Sequence, residues 1–475
     1  MRGNKVRRLI RVTRWGRAVG LRLLTSVCAL ALISTSVAAM DLREAVQTAV
    51  TTNPNILEST ANRRARDFEL RRAQGAFLPS LSVSGNIGGQ RLDRPNSFTR
   101  NNNDTWRTRK QVSVAVEQLI FDGFGSVNEI YRQAARVDGA ALRVMERSEA
   151  IALNATEAYI DVIRHAAILT QARLNVNKHR SIFSDVRQRF DGGETGAADL
   201  SQAQERVAAT EIIVADIRQS LLETIAKFEK IVGQKPGKLA PAKPAIVPAG
   251  PVDRLVDIAA IQHPEIQAAL ADVDAVRYEY DAAKSPFMPR VSLQGIASFG
   301  DDLDGVEGRN NEYAGKLVFS WNLFNGGKDM ARRMEYAERL TESQVRVDSV
   351  RREIKEAIER SWAAVQTGNA KIRAITQQVA ANRKVVDGYR QEYDIGQRTL
   401  LDVLNAENAL FNSKIDLISA RAIYAFATYQ LRGTTGDLLA YLDVTPAAES
   451  TDGQRDHVSI FPTGTSFKLE PLRKF

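Results

Sequence analysis

Of the 475 residues one is a cysteine, Cys28, and four are histidines. Cys28 falls in an N-terminal stretch that reads as a signal segment, so the rest of the chain has no disulfide, no thiolate nucleophile and no cysteine-based metal site. His165, His179, His263 and His457 stand apart, without metal-ligand spacing, and read as surface or packing residues. No nucleophile motif, phosphate-binding glycine loop or zinc signature occurs. Catalysis therefore has no candidate centre, and no cofactor or metal is expected. Past the N-terminal stretch no segment approaches about twenty uncharged apolar residues, which excludes a membrane-spanning helix. If the chain enters a membrane, it does so as strands closed into a barrel. Five of the 14 prolines crowd into residues 234–251, leaving long stretches free for helix.

Residues 1–39 carry eight basic residues and no acid, then the apolar run Leu23 to Val37, then Val37-Ala38-Ala39. This is the layout of a secretory signal peptide cleaved after Ala39. A membrane anchor is the alternative, but about fifteen apolar residues is short for a span of roughly 20. Thr25-Ser26-Val27 lack the small residue that lipidation of Cys28 requires, so no lipid anchor is read. Removal of the eight basic residues takes the net charge from +9 to near +1, so the pI of 9.5 argues for neither a nucleic-acid partner nor anionic lipid.

The chain is written twice. Asn53-Pro54-Asn55-Ile56 matches His263-Pro264-Glu265-Ile266, and Phe77-Leu78-Pro79 matches Phe287-Met288-Pro289, both at an offset of 210. From Leu119-Ile120-Phe121-Asp122-Gly123 onward the offset to Asn322-Leu323-Phe324-Asn325-Gly326 is 203, so a loop between Pro79 and Phe121 is longer in the first copy. The organisation is then a signal segment (1–39), a first repeat (40–233), a proline-rich linker (234–251), a second repeat (252–440) and a polar tail (441–475) that reads as partly disordered.

Within each copy the period of the apolar residues changes. Leu81, Val83, Gly85 and Ile87 alternate with Ser82, Ser84 and Asn86, and Val112, Val114 and Val116 do the same. Val291 and Leu293, then Leu317, Phe319, Trp321 and Leu323, repeat the plan. These are four strands of about ten residues in two hairpins. A half-buried sheet on a soluble domain fits this alternation as well as a barrel does. Heptads follow, over 126–190 and 200–232 and again in the second copy, with Gly193, Gly196 and Gly396 where each long helical hairpin reverses. Helices 200–232 and 253–285, each about half as long as 126–190, would match it if stacked end to end. Four strands cannot close a barrel, so the chain must oligomerise, and three copies of a four-stranded chain supply twelve strands.

In its doubled layout, its Phe-x-Pro stops, its strand exits LIFDGFG and WNLFNGGKD, and its tips FDGGETGAADLSQAQ and YDIGQRTLLDVLNAE, the chain resembles the TolC-type outer-membrane channels of Gram-negative efflux and type I secretion systems over residues 41–440. The resemblance implies an α+β membrane protein. Long antiparallel coiled-coil hairpins and four transmembrane strands per chain would assemble as a homotrimer with a 12-stranded β-barrel in the outer membrane and an α-helical tunnel across the periplasm. It further implies a periplasmic adaptor, an inner-membrane ABC or proton-driven transporter, and exported protein or small-molecule cargo. At the tips, Asp402 matches the acidic residue that narrows the periplasmic entrance, while Asn405 stands where such channels often carry a second Asp. Arg398, Tyr393 and Asp199 are placed for a hydrogen-bonded latch between hairpins, and Leu400 and Leu401 for the turn and the adaptor contact. The competing reading makes Asp199 and Asp402 helix caps and Arg398 a solvated charge. Trp106, Tyr313 and Trp321 suit an interfacial aromatic girdle, or else core positions. Asp301-Asp302-Leu303-Asp304-Gly305 hints at calcium but lacks the full ligand loop, and reads as an external loop. The function expected is a passive exit duct, most consistent with protein secretion, with small-molecule efflux as the alternative. A periplasmic coiled-coil adaptor is the reading from another class, against which the two-fold repeat argues.

Overall fold

The computed structural model describes residues 39–93, 105–305 and 307–450; the expected signal segment with Cys28, and the tail beyond 450 with His457, lie outside them. Both halves of the chain run the same course. The first has α1 (Leu42–Thr52), α2 (Pro54–Gln74), β1 (Ser80–Arg91), β2 (Trp106–Phe121), α3 (Gly125–Asp191) and α4 (Ala197–Val232). The second has α5 (Val252–Gln262), α6 (Pro264–Ala282), β3 (Arg290–Asp301), β4 (Arg309–Ser320), α7 (Lys328–Asp394) and α8 (Leu400–Thr435), with a short α9 (Leu438–Tyr441) after it. The long helices α3 and α7 have 67 residues each, and α4 and α8 have 36 each. At 1.5 Å per residue the longer pair span about 100 Å. The strand connections cover 92–105 and 302–308, and the seven-residue change of offset falls between them.

The helix expected over 253–285 is two helices. Pro264 has no amide hydrogen and cannot continue α5, and it opens α6 instead, with His263 as the N-cap whose Nδ1 accepts from the Glu265 amide at 3.3 Å. Asn53 and Pro54 make the same break between α1 and α2, and the Asn53 side chain accepts from the Asn55 amide at 3.0 Å.

The expected stacking is also revised, because the half-length helices join across the repeats differently. The C-terminus of α4 meets the N-terminus of α2: Asn53 Nδ2 donates to the Ile231 carbonyl at 3.0 Å and Thr52 Oγ1 to that of Val232 at 3.3 Å. The C-terminus of α8 meets the N-terminus of α6, Gly436 lying against His263 and Pro264. The columns are α4 under α2 and α8 under α6. Helix α3 lies between them, and α7 flanks the second. Heptad positions fix which face of a helix is buried but leave open which helix continues it.

The four strands form one antiparallel sheet in the order β1-β2-β3-β4. Register places Val83, Val114, Ala297 and Tyr313 in one row, so one face carries Leu81, Val83, Ile87, Val112, Phe299 and Leu317. That apolar face is the exposed one: Leu81 is 70%, Ile87 73% and Leu317 70% accessible. On the other face Ser292 and Ser298 are only 4% and 6% accessible, and Gln111 Nε2 donates to Ser298 Oγ at 3.0 Å. A sheet on a soluble domain buries the opposite face. An apolar outside and a hydrogen-bonded polar inside is the pattern of a lipid-facing barrel wall. Twelve-residue strands at about 3.3 Å per residue, tilted about 45°, cover roughly 28 Å, enough for an apolar band of about 25 Å.

Trp106 begins β2 at the loop end of the sheet and Tyr313 lies inside β4, edge-on to Phe299 at 5.7 Å. Trp321 and Leu323, expected in the last strand, lie beyond its end at Ser320; the Trp321 indole donates to the Phe287 carbonyl at 3.3 Å. Trp106 and Trp321 thus lie at opposite ends of the sheet, with Tyr313 within it. In the 301–305 loop, the Asp302 and Asp304 carboxylates each lie 3.9 Å from an arginine, Arg107 and Arg109.

The core is distributed along the helices. A collar around mid-height joins Val46 and Val50 of α1, Tyr159 of α3, Phe228 of α4 and Leu438 of α9. The proline-rich segment is held to it: the Ala245 amide donates to Thr428 Oγ1 at 2.8 Å, and the Tyr429 hydroxyl to the Lys243 carbonyl at 2.7 Å. The first residues after 440, expected within a partly disordered tail, are also docked, with Asp443 paired to Arg43 and Glu449 to Arg64.

Candidate functional site at the helical tips

At the end of the helices away from the strands, each hairpin reverses through five residues, 192–196 and 395–399. Both turns use one recipe. The amides of Gly193 and Glu194 donate to the carbonyls of Phe190 and Arg189, as those of Gly396 and Gln397 do to Tyr393 and Glu392. This requires a left-handed residue, and Gly193 and Gly396 supply it at φ 78° and 75°. Gly196 has φ −86° and serves as the N-cap of α4.

The counterpart of Gly196 is Thr399, which caps α8 reciprocally with Asp402. Thr399 Oγ1 donates to Asp402 Oδ2 at 2.8 Å and accepts from the Asp402 amide at 3.3 Å, while the Thr399 amide donates to the same carboxylate. The Thr399 hydroxyl, then its amide, hold the Asp402 carboxyl below the usual carboxylate range. Asp199 accepts from Thr195 Oγ1 at 2.6 Å. Both aspartates therefore brace helix starts. At Asp402 the same bonds fix an ionised carboxylate at the tip, so capping and a charged ring are compatible roles. Asn405 lies one turn on, exposed.

Arg398, Tyr393 and Asp199 make no hydrogen bond to one another among the described residues. Arg398 turns back on its own hairpin, its Nε donating to Glu392 Oε2 at 2.6 Å and its guanidinium 4.3 Å from the centre of the Tyr389 ring. The bond between hairpins is made by Arg189 of α3, whose Nη2 donates to Asp394 Oδ1 at 2.7 Å while its guanidinium covers the Tyr393 ring at 4.8 Å. Burial raises the Tyr393 hydroxyl's pKa, with the nearby Arg189 charge opposing. Beneath this bridge Ile182 and Val186 of the first hairpin pack on Leu400 and Leu404 of the second. Leu400 is 3% accessible and belongs to this interior, whereas Leu401, at 43%, faces outward. A cleft of about 470 Å³ opens beside Leu400, bounded by Asp185, Arg189, Arg390 and Tyr393. Arg390 also reaches the buried Glu407 at 2.8 Å, bracing the second hairpin.

Sequence reasoning missed Arg189, Asp394, Arg390 and Glu407. For two of them the repeat held a signal: at an offset of 203, Arg189 falls opposite Glu392 and Gln204 opposite Glu407, whereas Arg390 and Asp394 have identical copies in Arg187 and Asp191.

A lipid-facing sheet at one end of helical hairpins about 100 Å long, with braced, charged tips at the other, defines the class: an outer-membrane export channel. The profile of the family described as "Outer membrane efflux protein" matches residues 45–234 and 255–437, the two repeats in turn, and the chain belongs to that family. It is 27% identical over 390 residues to the outer membrane efflux protein BepC of Brucella suis, covering 82% of this chain and 83% of that protein. It is also 27% identical over 398 residues to the alkaline protease secretion protein AprF of Pseudomonas aeruginosa, covering 81% of each. The fold is similar to that of the Campylobacter jejuni CmeC outer membrane channel, with a TM-score of 0.74 at 14% identity over 84% of this chain and 86% of that one.

Proposed function

We propose that this chain forms a homotrimeric duct in the outer membrane, with its helices crossing the periplasm, and that it is the exit of a type I protein secretion system. The observation that carries the duct is the inverted sheet, apolar outward and polar inward, on a chain too short of strands to close a barrel alone. The secretion assignment draws support from the similarity to AprF, named for alkaline protease secretion. The working parts are the tips. Asp402 from each copy contributes to a ring of carboxylates around the axis, which favours cations, and Asn405 extends the constriction without a second charge. Opening separates the hairpins at the Arg189–Asp394 bridge. A periplasmic adaptor reaches the tip through exposed positions such as Leu401 and couples it to an inner-membrane transporter that supplies the energy.

Small-molecule efflux is the second reading, favoured by the equal similarity to BepC, named an efflux protein. A deletion strain separates the two. Loss of one or more secreted proteins with unchanged drug susceptibility supports secretion; loss confined to drug resistance overturns it.

A further inference from the structure

On β3, Ser298 and Gly300 belong to the polar inner row of the sheet, and Phe299 and Asp301 to the outer one. The ladder with β2 ends at Lys110↔Asp301. A strand running on past it would point Leu303 outward like Phe299, and would set Asp302 beside Arg109 and Asp304 beside Arg107. The chain does the opposite. Asp302 and Asp304 take left-handed backbone, at φ 55° and 54°, and turn the connection back over the inner face. Leu303 lands on Gly300, where a Cβ would overlap its Cδ1 and lie 2.7 Å from its Cγ. The ion pairs are exchanged to match: Asp304 has come down to Arg109 and Asp302 stands by Arg107, each at 3.9 Å.

The turn is held from both sides. The Asp302 amide donates to the Gly308 carbonyl, and Asp302 Oδ1 accepts from the Gly308 amide, both at 3.0 Å. Arg107 Nη2 donates to Glu307 Oε2 at 3.2 Å. Below, Arg109 Nη2 donates to Gln111 Oε1 at 2.7 Å, which ties the arginine to the inner row it covers. Leu303 is 8% accessible, buried at a place where the strand face is otherwise polar. Only glycine at 300 leaves that seat open.

We infer that this inturned segment is a second selectivity element of the duct, at the end of the sheet away from the helices, where it covers Arg107 and Arg109 and sets the sign of the charge that cargo meets. The inference rests on the barrel reading above, which makes the inner row the wall of the lumen. With Leu303 seated, each chain sets three carboxylates, of Asp302, Asp304 and Glu307, against two guanidinium groups, an excess of one negative charge. The exit then favours cations, as the Asp402 ring does at the other end. With Leu303 displaced, the carboxylates move out with the turn and the two arginines stay on β2, so the exit favours anions. Farther down the wall Glu312 and Lys316 of β4 offset each other. The ion pairs are partly exposed and weaken in salt, whereas the Leu303 seat does not. Gly300 and Leu303 are therefore the positioning residues, and Arg107 and Arg109 the charges they cover.

Gly300→Leu evicts Leu303 and Leu303→Ser removes its anchor, and neither changes a charge. Both are best read in pores of Asp402→Ala, whose tip adds no ring charge, in planar bilayers at about 0.1 M KCl, where charges act over about 10 Å. The ratio of potassium to chloride permeability should fall at least about twofold in either variant. Adding Arg107→Gln and Arg109→Gln should abolish that fall. The chain after residue 39 has no cysteine, so a cysteine pair reports the seat directly. Under mild oxidation Gly300→Cys with Leu303→Cys should form an intramolecular disulfide, the contact being close enough for one, while Phe299→Cys with Leu303→Cys, on the outer face, should keep free thiols. If the permeability ratio is unchanged in both single variants, or if the outer pair links as readily as the inner one, the selectivity element falls and the barrel reading stands. If well-folded parent protein forms no pores, both fall.

Discussion

Replacing Arg189 by alanine removes the one side chain that both pairs with Asp394 and covers Tyr393 across the two hairpins. Arg189 and Asp394 are 31% and 65% accessible, so solvent screens the pair and its contribution is about 0.5–1 kcal/mol. The cation–π contact adds about 0.5–1 kcal/mol. Each protomer therefore loses roughly 1–2 kcal/mol of hairpin coupling, and a three-fold entrance opening in concert loses about 3 kcal/mol or more, a shift of at least about a hundredfold in its closed-to-open ratio. Single-channel recordings of the purified protein read that ratio as open probability, and entry of a large antibiotic into cells reads it in the membrane. Asp394→Ala should reproduce only the ion-pair part, and the double variant should fall short of the sum of the singles by about 0.5–1 kcal/mol per protomer. If Arg189→Ala stays as closed as wild type, the bridge does not hold the entrance shut. The buried leucine contacts beneath it would then be the closing element.

Three further outcomes follow from the geometry. Burial pushes the Glu149 carboxyl up to about 7 from 4.5, although the Leu439 amide donates to it at 3.2 Å. The neutral form is thus favoured in the fold, so stability complete below pH 4.5 is lost as pH rises to about 7. The loss is on the order of 3 kcal/mol, and Glu149→Gln should abolish most of it in urea titrations at pH 5 and 8. Gly193→Ala and Gly396→Ala each force a Cβ into left-handed backbone and should cost about 1–2 kcal/mol per site in thermal unfolding, with Gly196→Ala costing less. Ile87→Lys places a charge on the outward face of the wall and should cost about 2–4 kcal/mol near the bilayer midplane, seen as lost heat-resistant assembly in membranes.

The repeat carried most of the fold. Two offsets located the four strands, the four long helices, both tips and the extra loop residues, because each unit must satisfy the same backbone and burial demands twice. What stayed hidden depends on contacts between distant segments. Helical periodicity marked α3, α4, α7 and α8 but not that α4 continues into α2, which rests on Asn53 reaching the Ile231 carbonyl. Alternation past Ser320 made Trp321 and Leu323 look like strand, although the turn toward Gly326 ends the ladder first. At the tips, the glycine turns and the capping of Asp402 were legible locally. The pairing of Arg189 with Asp394 was not, since nothing nearby in sequence fixes how two hairpins face each other.

The central claim is that the chain is a water-filled duct whose narrowest point is charged by Asp402. Its most direct test is the conductance and ion selectivity of the purified protein in a planar bilayer, for wild type and Asp402→Ala. Stable, cation-selective pores whose selectivity weakens in the variant are the predicted result. Pores with unchanged selectivity would move the constriction away from Asp402, and the absence of pores from well-folded assemblies would contradict the duct itself.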